Sequence, residues 1–496
     1  MRLRKYVAGL ALCGGIGVPW STVFAQEAPE GVDVQAVLRR LEAAEAEIRM
    51  LKSQAANKQA ARGDDAPLLI DIAPAGLREA NDDSLGGRLS DLEKKFKAAE
   101  EAEAKKKAEF PTYKFRGRVD ADTVTFDQNA ANKATVGDIQ DGADFRRARI
   151  GVEGLLTDTI AYVLEMDFAG SGRPTFTDVF ATITDLPILG NLRIGHFKEF
   201  YSLEQLTSSR FTTFMERSMM DEAFVPARNL GIGAFNTYCD EAGTWAIGAF
   251  KTASDDFGDE VGDGNEAAVT GRLTYLPYYD TGSDGRYLVH IGGAYSFRDA
   301  DQNSVTLAAH PEIRMRTSAT AIGGSGEGSL PNFVTTGAIP AEHSQLLGAE
   351  AAVVWGSLSV QAEYTADFVD PIAGDEATFH GFYIFASYFL TGESRPYNRK
   401  VGYFDRVKPL ENAFCVCTDE GMCKGWGAWE ARARYSRIDL SDSGINGGEM
   451  NEYTLGLTWY LNANFKILAD YIHSDLDRGA NGGNCDIFAM RAHFDW

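Results

Sequence analysis

The feature that most restricts this chain is a two-residue period that starts at Tyr113 and is still running at Trp496. Tyr113, Phe115, Gly117, Val119 and Ala121 alternate with Lys114, Arg116, Arg118, Asp120 and Asp122. Ile160, Tyr162, Leu164, Met166 and Phe168 alternate with Thr159, Ala161, Val163, Glu165 and Asp167, and charge keeps to one parity. At the end of the chain Phe488, Met490, Ala492, Phe494 and Trp496 oppose Ala489, Arg491, His493 and Asp495. Successive side chains of a strand point to opposite faces, so each segment has one apolar and one polar face. In a soluble sandwich the apolar face meets a core and is dominated by branched aliphatics. Here it carries aromatics near the strand ends, as at the two interfaces of a bilayer. Lipid tolerates no open sheet edge, so such strands must close into a barrel.

Turn chemistry supplies a strand number. Short connections are expected at 155–158, 186–191, 240–243, 355–357 and 462–464, and long polar ones near 127–143, 198–230, 253–265, 298–344, 440–450 and 474–486. Short turns on one side and long loops on the other are the asymmetry of an outer-membrane barrel. The expectation is an all-β, transmembrane antiparallel β-barrel of about 16 strands over residues 110–496, at roughly 24 residues per strand and connection. Residues 391–426 fall on the short-turn side yet are long, which suggests a plug or collar.

The N-terminal part reads differently. Arg2, Arg4 and Lys5 precede an apolar stretch from Tyr6 to about Pro19, and Val23-Phe24-Ala25 suits a signal peptidase, so residues 1–25 read as a secretory signal peptide. Val34, Val37, Leu41, Ala44, Ile48 and Leu51 form a short heptad seam, making 26–52 a coiled-coil helix or an amphipathic helix lying on the protein. Residues 53–84 read as a linker, and 85–109 as a second helical segment ended by Pro111. Loss of the signal takes three cations with it and moves the formal charge from −23 to −26, which excludes a nucleic-acid binder. Cys415, Cys417 and Cys423 form a cluster in which disulfide pairing is expected in an oxidising compartment; its spacing matches no common zinc site, and no cofactor is implied.

A barrel of this size leaves an aqueous lumen, whose narrowest part decides what passes. Residues 198–230 are the candidate constriction, because phenylalanines at 197, 200, 211, 214 and 224 are too many for a solvated loop. Folded inward, the segment would present Lys198, Arg210, Arg217 and Arg228 to a permeant anion, guanidinium being a planar fork matched to phosphate and carboxylate. Arg147, Arg149, Arg193, Arg432, Arg434 and Arg491 fall on the lumen parity of the wall, with Glu153, Glu165, Asp167, Asp178, Glu430, Asp470 and Asp495. Each wall arginine can serve an anion path or a cross-strand salt bridge, and Glu216, Asp221 and Glu222 are near enough in sequence to neutralise the loop arginines.

An ordered set of motifs resembles the phosphate-selective porin O and P family. It comprises Phe145-Arg-Arg-Ala-Arg-Ile-Gly151, Gly195-His-Phe-Lys-Glu-Phe200, Pro226-Ala-Arg-Asn-Leu-Gly231, Leu390-Thr-Gly-Glu393, Gly427-Ala-Trp-Glu430, Arg434-Tyr-Ser436 and Trp459-Tyr-Leu-Asn462, preceded by the helical leader. The resemblance implies a homotrimer of 16-stranded barrels in the outer membrane of a Gram-negative bacterium, with the leader in the periplasm. It also implies an anion path lined by arginine and lysine. The expected function is passive diffusion of small hydrophilic solutes, anions such as phosphate among them. The alternative is a barrel-anchored structural or adhesion protein whose leader tethers the membrane to the cell wall. An enzyme is not expected, since Gly-x-Ser-x-Gly is absent and the seven histidines are scattered.

Overall fold

The computed structural model describes residues 110–169, 174–252, 266–317, 328–418 and 421–496. The signal peptide, coiled-coil seam, linker and second helical segment all lie outside the described residues.

Alternation becomes 16 antiparallel strands. They are β1 (Lys114–Gln128), β2 (Gly142–Thr157), β3 (Ile160–Asp167), β4 (Thr175–Leu186), β5 (Gly190–Lys198), β6 (Arg228–Tyr238), β7 (Gly243–Lys251) and β8 (Ala267–Tyr279). Then come β9 (Tyr287–Asp299), β10 (Ile339–Trp355), β11 (Leu358–Pro371), β12 (Ala377–Phe389), β13 (Ala428–Asp442), β14 (Ile445–Tyr460), β15 (Phe465–Arg478) and β16 (Asn481–Asp495). Each pairs with its neighbours in sequence, and β16 pairs with β1 from Arg118↔Asp495 to Gln128↔Cys485, which closes the sheet. Closure leaves no barrel strand with unpaired amides facing lipid.

The outer face carries the aromatic girdles that the parity predicted. Trp429 opposes Trp459 and Tyr435 opposes Tyr453 across β13 and β14, and between these pairs Ala431, Ala433, Leu455 and Leu457 face outward. Six residues of strand span roughly 20 Å, near the height of the apolar band of an outer-membrane barrel. Above Tyr435 and Tyr453 the outward positions turn polar, at Arg437, Asp439, Asn451 and Glu449.

One rim holds the short turns 158–159, 187–189, 239–242, 280–286, 356–357 and 461–464, together with the long connection 390–427. Two expected loops on the other rim are not loops. Residues 440–450 and 474–486 are mostly strand, joined by two-residue turns at 443–444 and 479–480. Their polarity marks strands that continue past the lipid into water, where the ladder persists although both faces are wet. Among the described residues long connections remain at 129–141, with α1 (Ala130–Val136), at 199–227, with α2 (Leu203–Leu206) and α3 (Met219–Phe224), and at 300–338, while the expected loop 253–265 lies outside the described residues.

The lumen is not a plain aqueous tube. Towards the long-loop rim, inward positions of β12 to β16 and β1 become apolar, at Phe379, Ile438, Leu440, Met450, Ile472, Leu476, Ile487 and Val124. Met215, Met219, Met220 and Phe224 of the 199–227 segment, and Ile313 and Phe333 of the 300–338 segment, complete the same buried cluster. Both segments are therefore held by an internal hydrophobic core.

Candidate functional site: the charged lumen

The 199–227 segment leaves β5 and crosses the barrel, because its partners lie on strands far from β5 and β6. Glu363 of β11 accepts the amides of Leu203 at 2.9 Å and Glu204 at 2.7 Å, which satisfies the free N–H groups at the start of α2. Asp470 of β15 accepts the Met215 amide at 3.3 Å. Ser218 caps α3, its Oγ accepting from the Asp221 amide at 3.2 Å and donating to Glu204 at 2.8 Å. Phe214 meets Phe385 of β12 edge to face at 5.4 Å. The clustered phenylalanines thus end inside, as their number required: Phe197, Phe200, Phe214 and Phe224 are buried and Phe211 is half-buried.

The four cations expected to face a permeant fall into two groups. Lys198 donates to the carbonyls of Gln205 at 2.5 Å and Thr207 at 3.3 Å, and Arg217 donates to the same two at 3.2 Å each, with Asp221 at 3.9 Å. Arg228 makes a two-pronged pair with Asp178 of β4 at 2.8 and 3.1 Å, while Arg210 reaches Glu165 of β3 at 3.1 Å. Arg116 bridges these two carboxylates, at 2.9 Å from Glu165 and 3.7 Å from Asp178.

The wall arginines are mostly ion-paired across strands. Arg147 pairs with Asp120 at 3.2 Å, Arg149 with Asp167 at 2.7 Å, and Arg491 with Asp122 at 2.6 Å. Arg432 of β13 reaches Asp470 of β15 at 2.6 Å by passing over Gly456 of β14, where an added Cβ would lie 2.1 Å from the Asp470 carboxylate. Arg434 pairs with Glu312 of the 300–338 segment and with Glu204 at 3.4 Å. Among the described residues Arg193 has no such partner; its guanidinium lies 4.1 Å over the Phe180 ring and 5.0 Å over Phe235, with Thr182 at 3.2 Å. Of the nearby loop carboxylates, Asp221 faces Arg217 and the other two turn elsewhere. Glu216 collects Arg146, Arg147 and Arg491, at 2.9, 3.1 and 2.6 Å, and Glu222 takes His310 and Arg314 of the 300–338 segment.

The long connection 390–427 also enters the barrel. Arg395 donates to Gln361 of β11 at 2.6 Å and stacks 3.6 Å over Phe404. The Tyr397 hydroxyl lies 2.7 Å from His290 Nδ1 of β9, and the Gly402 carbonyl accepts from Arg272 of β8 at 2.8 Å. Arg406 grips Asp495 of β16. Backbone strands Phe414–Thr418 and Gly421–Gly425 make a hairpin around the cysteine cluster, but the side chains of Cys415, Cys417 and Cys423 lie outside the described residues.

Two cations stand out that parity alone could not single out. Arg118 of β1 is 1% exposed, with Arg149 directly opposite in β2 and, in β16, Asp495, whose carboxylate is held by Arg406. Among the described residues its one hydrogen bond goes to Ser209 Oγ at 2.9 Å, its Nε and Nη1 have no partner, and no carboxylate is within ion-pairing distance. Lys466 of β15 reaches the Thr212 carbonyl at 3.5 Å, again with no carboxylate among the described residues. It borders a small recess with Arg210, Arg406, Tyr460 and His493. Sequence places Arg118 on the lumen parity; only the tertiary structure shows an arginine opposite it on one side and an aspartate already held by Arg406 on the other.

The family model described as phosphate-selective porin O and P matches residues 113–496. Porin O of Pseudomonas aeruginosa is 30% identical over 401 residues, covering 76% of this chain and 85% of that protein. An uncharacterized protein of Caulobacter vibrioides is 30% identical over 359 residues, covering 70% of this chain and 65% of that one. Among solved structures, an anion-selective porin from Comamonas acidovorans aligns with a TM-score of 0.48 at 12% identity, over 78% of this chain and 99% of that one. Salmonella typhi OmpF aligns with a TM-score of 0.47 at 12% identity, over 77% and 97%. With a closed 16-stranded barrel, a charged lumen and a family match that spans every strand, the chain belongs to the phosphate-selective porin O and P family, outer-membrane channels for the passive diffusion of small hydrophilic solutes.

Proposed function

We propose that this porin prefers anions, phosphate among them, and that the preference rests on the few lumen cations that no carboxylate neutralises. The observation that carries this is Arg118, a buried guanidinium with two orphan nitrogens, flanked across the ladder by Arg149 on one side and on the other by Asp495, whose carboxylate Arg406 already holds. A buried charge without a counter-charge is costly, and a permeating oxyanion would relieve it with a fork-shaped pair of hydrogen bonds. Lys466 extends the same field towards the short-turn rim. Lys198, Arg210, Arg217 and Arg228 act as struts: their donors are already committed to Gln205, Thr207, Glu165 and Asp178, and so fix the 199–227 segment as the constriction. On this reading the wall arginines 147, 149, 432, 434 and 491 stiffen the barrel, and Arg193 is locked among aromatics.

The deciding experiment is the reversal potential of the reconstituted protein in a salt gradient. Arg118→Ala and Lys466→Ala should each lower anion preference. Arg210→Ala and Arg217→Ala should leave it near the parent value while making the current noisier. Cation selectivity of the parent protein would overturn the reading.

The working unit in this reading is a homotrimer, with the short-turn rim in the periplasm and the 26–52 seams of three copies wound together there. The seam is under three heptads long, too short to hold by itself, and would need the barrels to bring copies together. Cross-linking in the native membrane should stop at three copies; a ladder ending at one would remove the trimer.

A further inference from the structure

The connection 390–427 has two destinations. Its first part, from Arg395 to Arg406, is fastened inside the lumen. Its second part comes back over the rim and ends on the outside of the barrel. Leu410, Phe414 and Trp426 are 69%, 63% and 79% exposed, more than is usual for side chains of this size. Phe414 and Trp426 touch the lowest aromatic pair of the lipid band, and Leu410 lies 3.8 Å from the Cβ position of Gly392, next to Thr391, whose hydroxyl accepts the Trp429 amide. Trp429 and Trp459 stack at 5.2 Å with 14° between their planes, and Phe414 meets Trp459 edge-on at 5.6 Å. Both indoles donate to one acceptor, the Trp426 carbonyl, Trp459 at 2.7 Å and Trp429 at 3.2 Å. Gly427, at φ 68°, lies so close to the Tyr460 carbonyl that an added Cβ would be 2.2 Å from it. Glycine there lets the chain cross the wall and swing Trp426 outward.

We infer that Leu410, Phe414, Trp426, Trp429 and Trp459 form a foot that inserts into the headgroup and glycerol zone of the phospholipid leaflet at the short-turn rim. Three observations fix the occupant as lipid. The patch continues downward from the outward band of Ala431, Ala433, Leu455 and Leu457, which already faces acyl chains. Its composition is indole and phenyl with aliphatic neighbours, suited to a zone apolar on one side and wet on the other. The two indole N–H groups are satisfied internally, so the platform presents ring faces without an unmet donor. The foot gives the connection an external anchor, so the lumen insert is held from both sides of the wall.

The test uses the full chain reconstituted in phosphatidylcholine vesicles, with Trp426 emission obtained as the difference between parent and Trp426→Phe. Lipid brominated on the acyl chain near the glycerol should remove most of that emission, lipid brominated near the chain end should remove less, and aqueous acrylamide should remove little. Quenching by acrylamide without quenching by brominated lipid would place Trp426 in water. Resistance to both would place it between copies of the chain. Either result overturns the proposal. Should Trp426→Phe fail to fold, a nitroxide on Leu410→Cys gives the same answer: relaxation by oxygen over an aqueous nickel chelate supports lipid insertion, and the reverse order rejects it.

Discussion

Single positions decide whether charges in this lumen meet. Gly456 is the clearest, since Arg432 and Asp470 pair across an intervening strand only because β14 offers no side chain at the crossing. Gly456→Ala should separate the pair and strand both charges, a loss of about 3–5 kcal/mol for a buried pair broken on one side. Gly271→Ala is the control, because its added Cβ would meet nothing nearer than 3.5 Å. Unfolding of both variants in detergent, followed by heat-induced mobility shift, should show a lower midpoint for Gly456→Ala alone. Asp221, in α3 and outside the spanning strands, is the titratable position to watch. Burial pushes its carboxyl from 3.8 up to about 7, against the pull of Arg217. Its stabilisation is complete below the ordinary 3.8 and is lost as pH rises through 7. The group is therefore neutral on the acid side of that window and anionic above it. Anion preference should rise between about pH 8 and pH 6 as Asp221 gains its proton. In Asp221→Asn the reversal potential should be flat over the same interval.

At the scale of elements, three connections enter the barrel, and wall carboxylates accept backbone or guanidinium donors from each: Glu363 from 199–227, Glu452 from 300–338 and Asp495 from 390–427. Glu363→Ala would leave the first amides of α2 without their acceptor, at roughly 1–3 kcal/mol for buried donors left unsatisfied. Single-channel records of that variant should show flickering and a larger mean conductance, whereas a quiet parent-like trace would mean the apolar core holds the segment unaided. The clasp of Glu222 with His310 and Arg314 joins the 199–227 and 300–338 segments. Glu222→Gln should increase protease cutting in 300–338 while leaving the strands intact. Much of this level was legible. The phenylalanines of 199–227 demanded burial, and the length of 391–426 on the short-turn side marked an inserted segment. Two loops were misread because polarity at 440–450 and 474–486 reports contact with water, which strands standing clear of the bilayer also have.

For the whole molecule, charge and fold give different information. A chain of net charge −23 can still pass anions, because permeants respond to the local field of the lumen. That field is set by pairing: Glu216 is shared by three arginines, and Arg118 has no carboxylate partner among the described residues. The sequence by itself determined the closed barrel, its lipid and water faces, its aromatic girdles and the cations available to the lumen. Those follow from a period of two, which each residue carries independently of its distant neighbours. Only the tertiary structure decided which cations are spent on carboxylates, which lie among rings or carbonyls, and which stay unmatched. Such partnerships join residues tens to hundreds of positions apart, as Arg491 with Asp122 and Arg432 with Asp470 do, and local pattern holds no record of them.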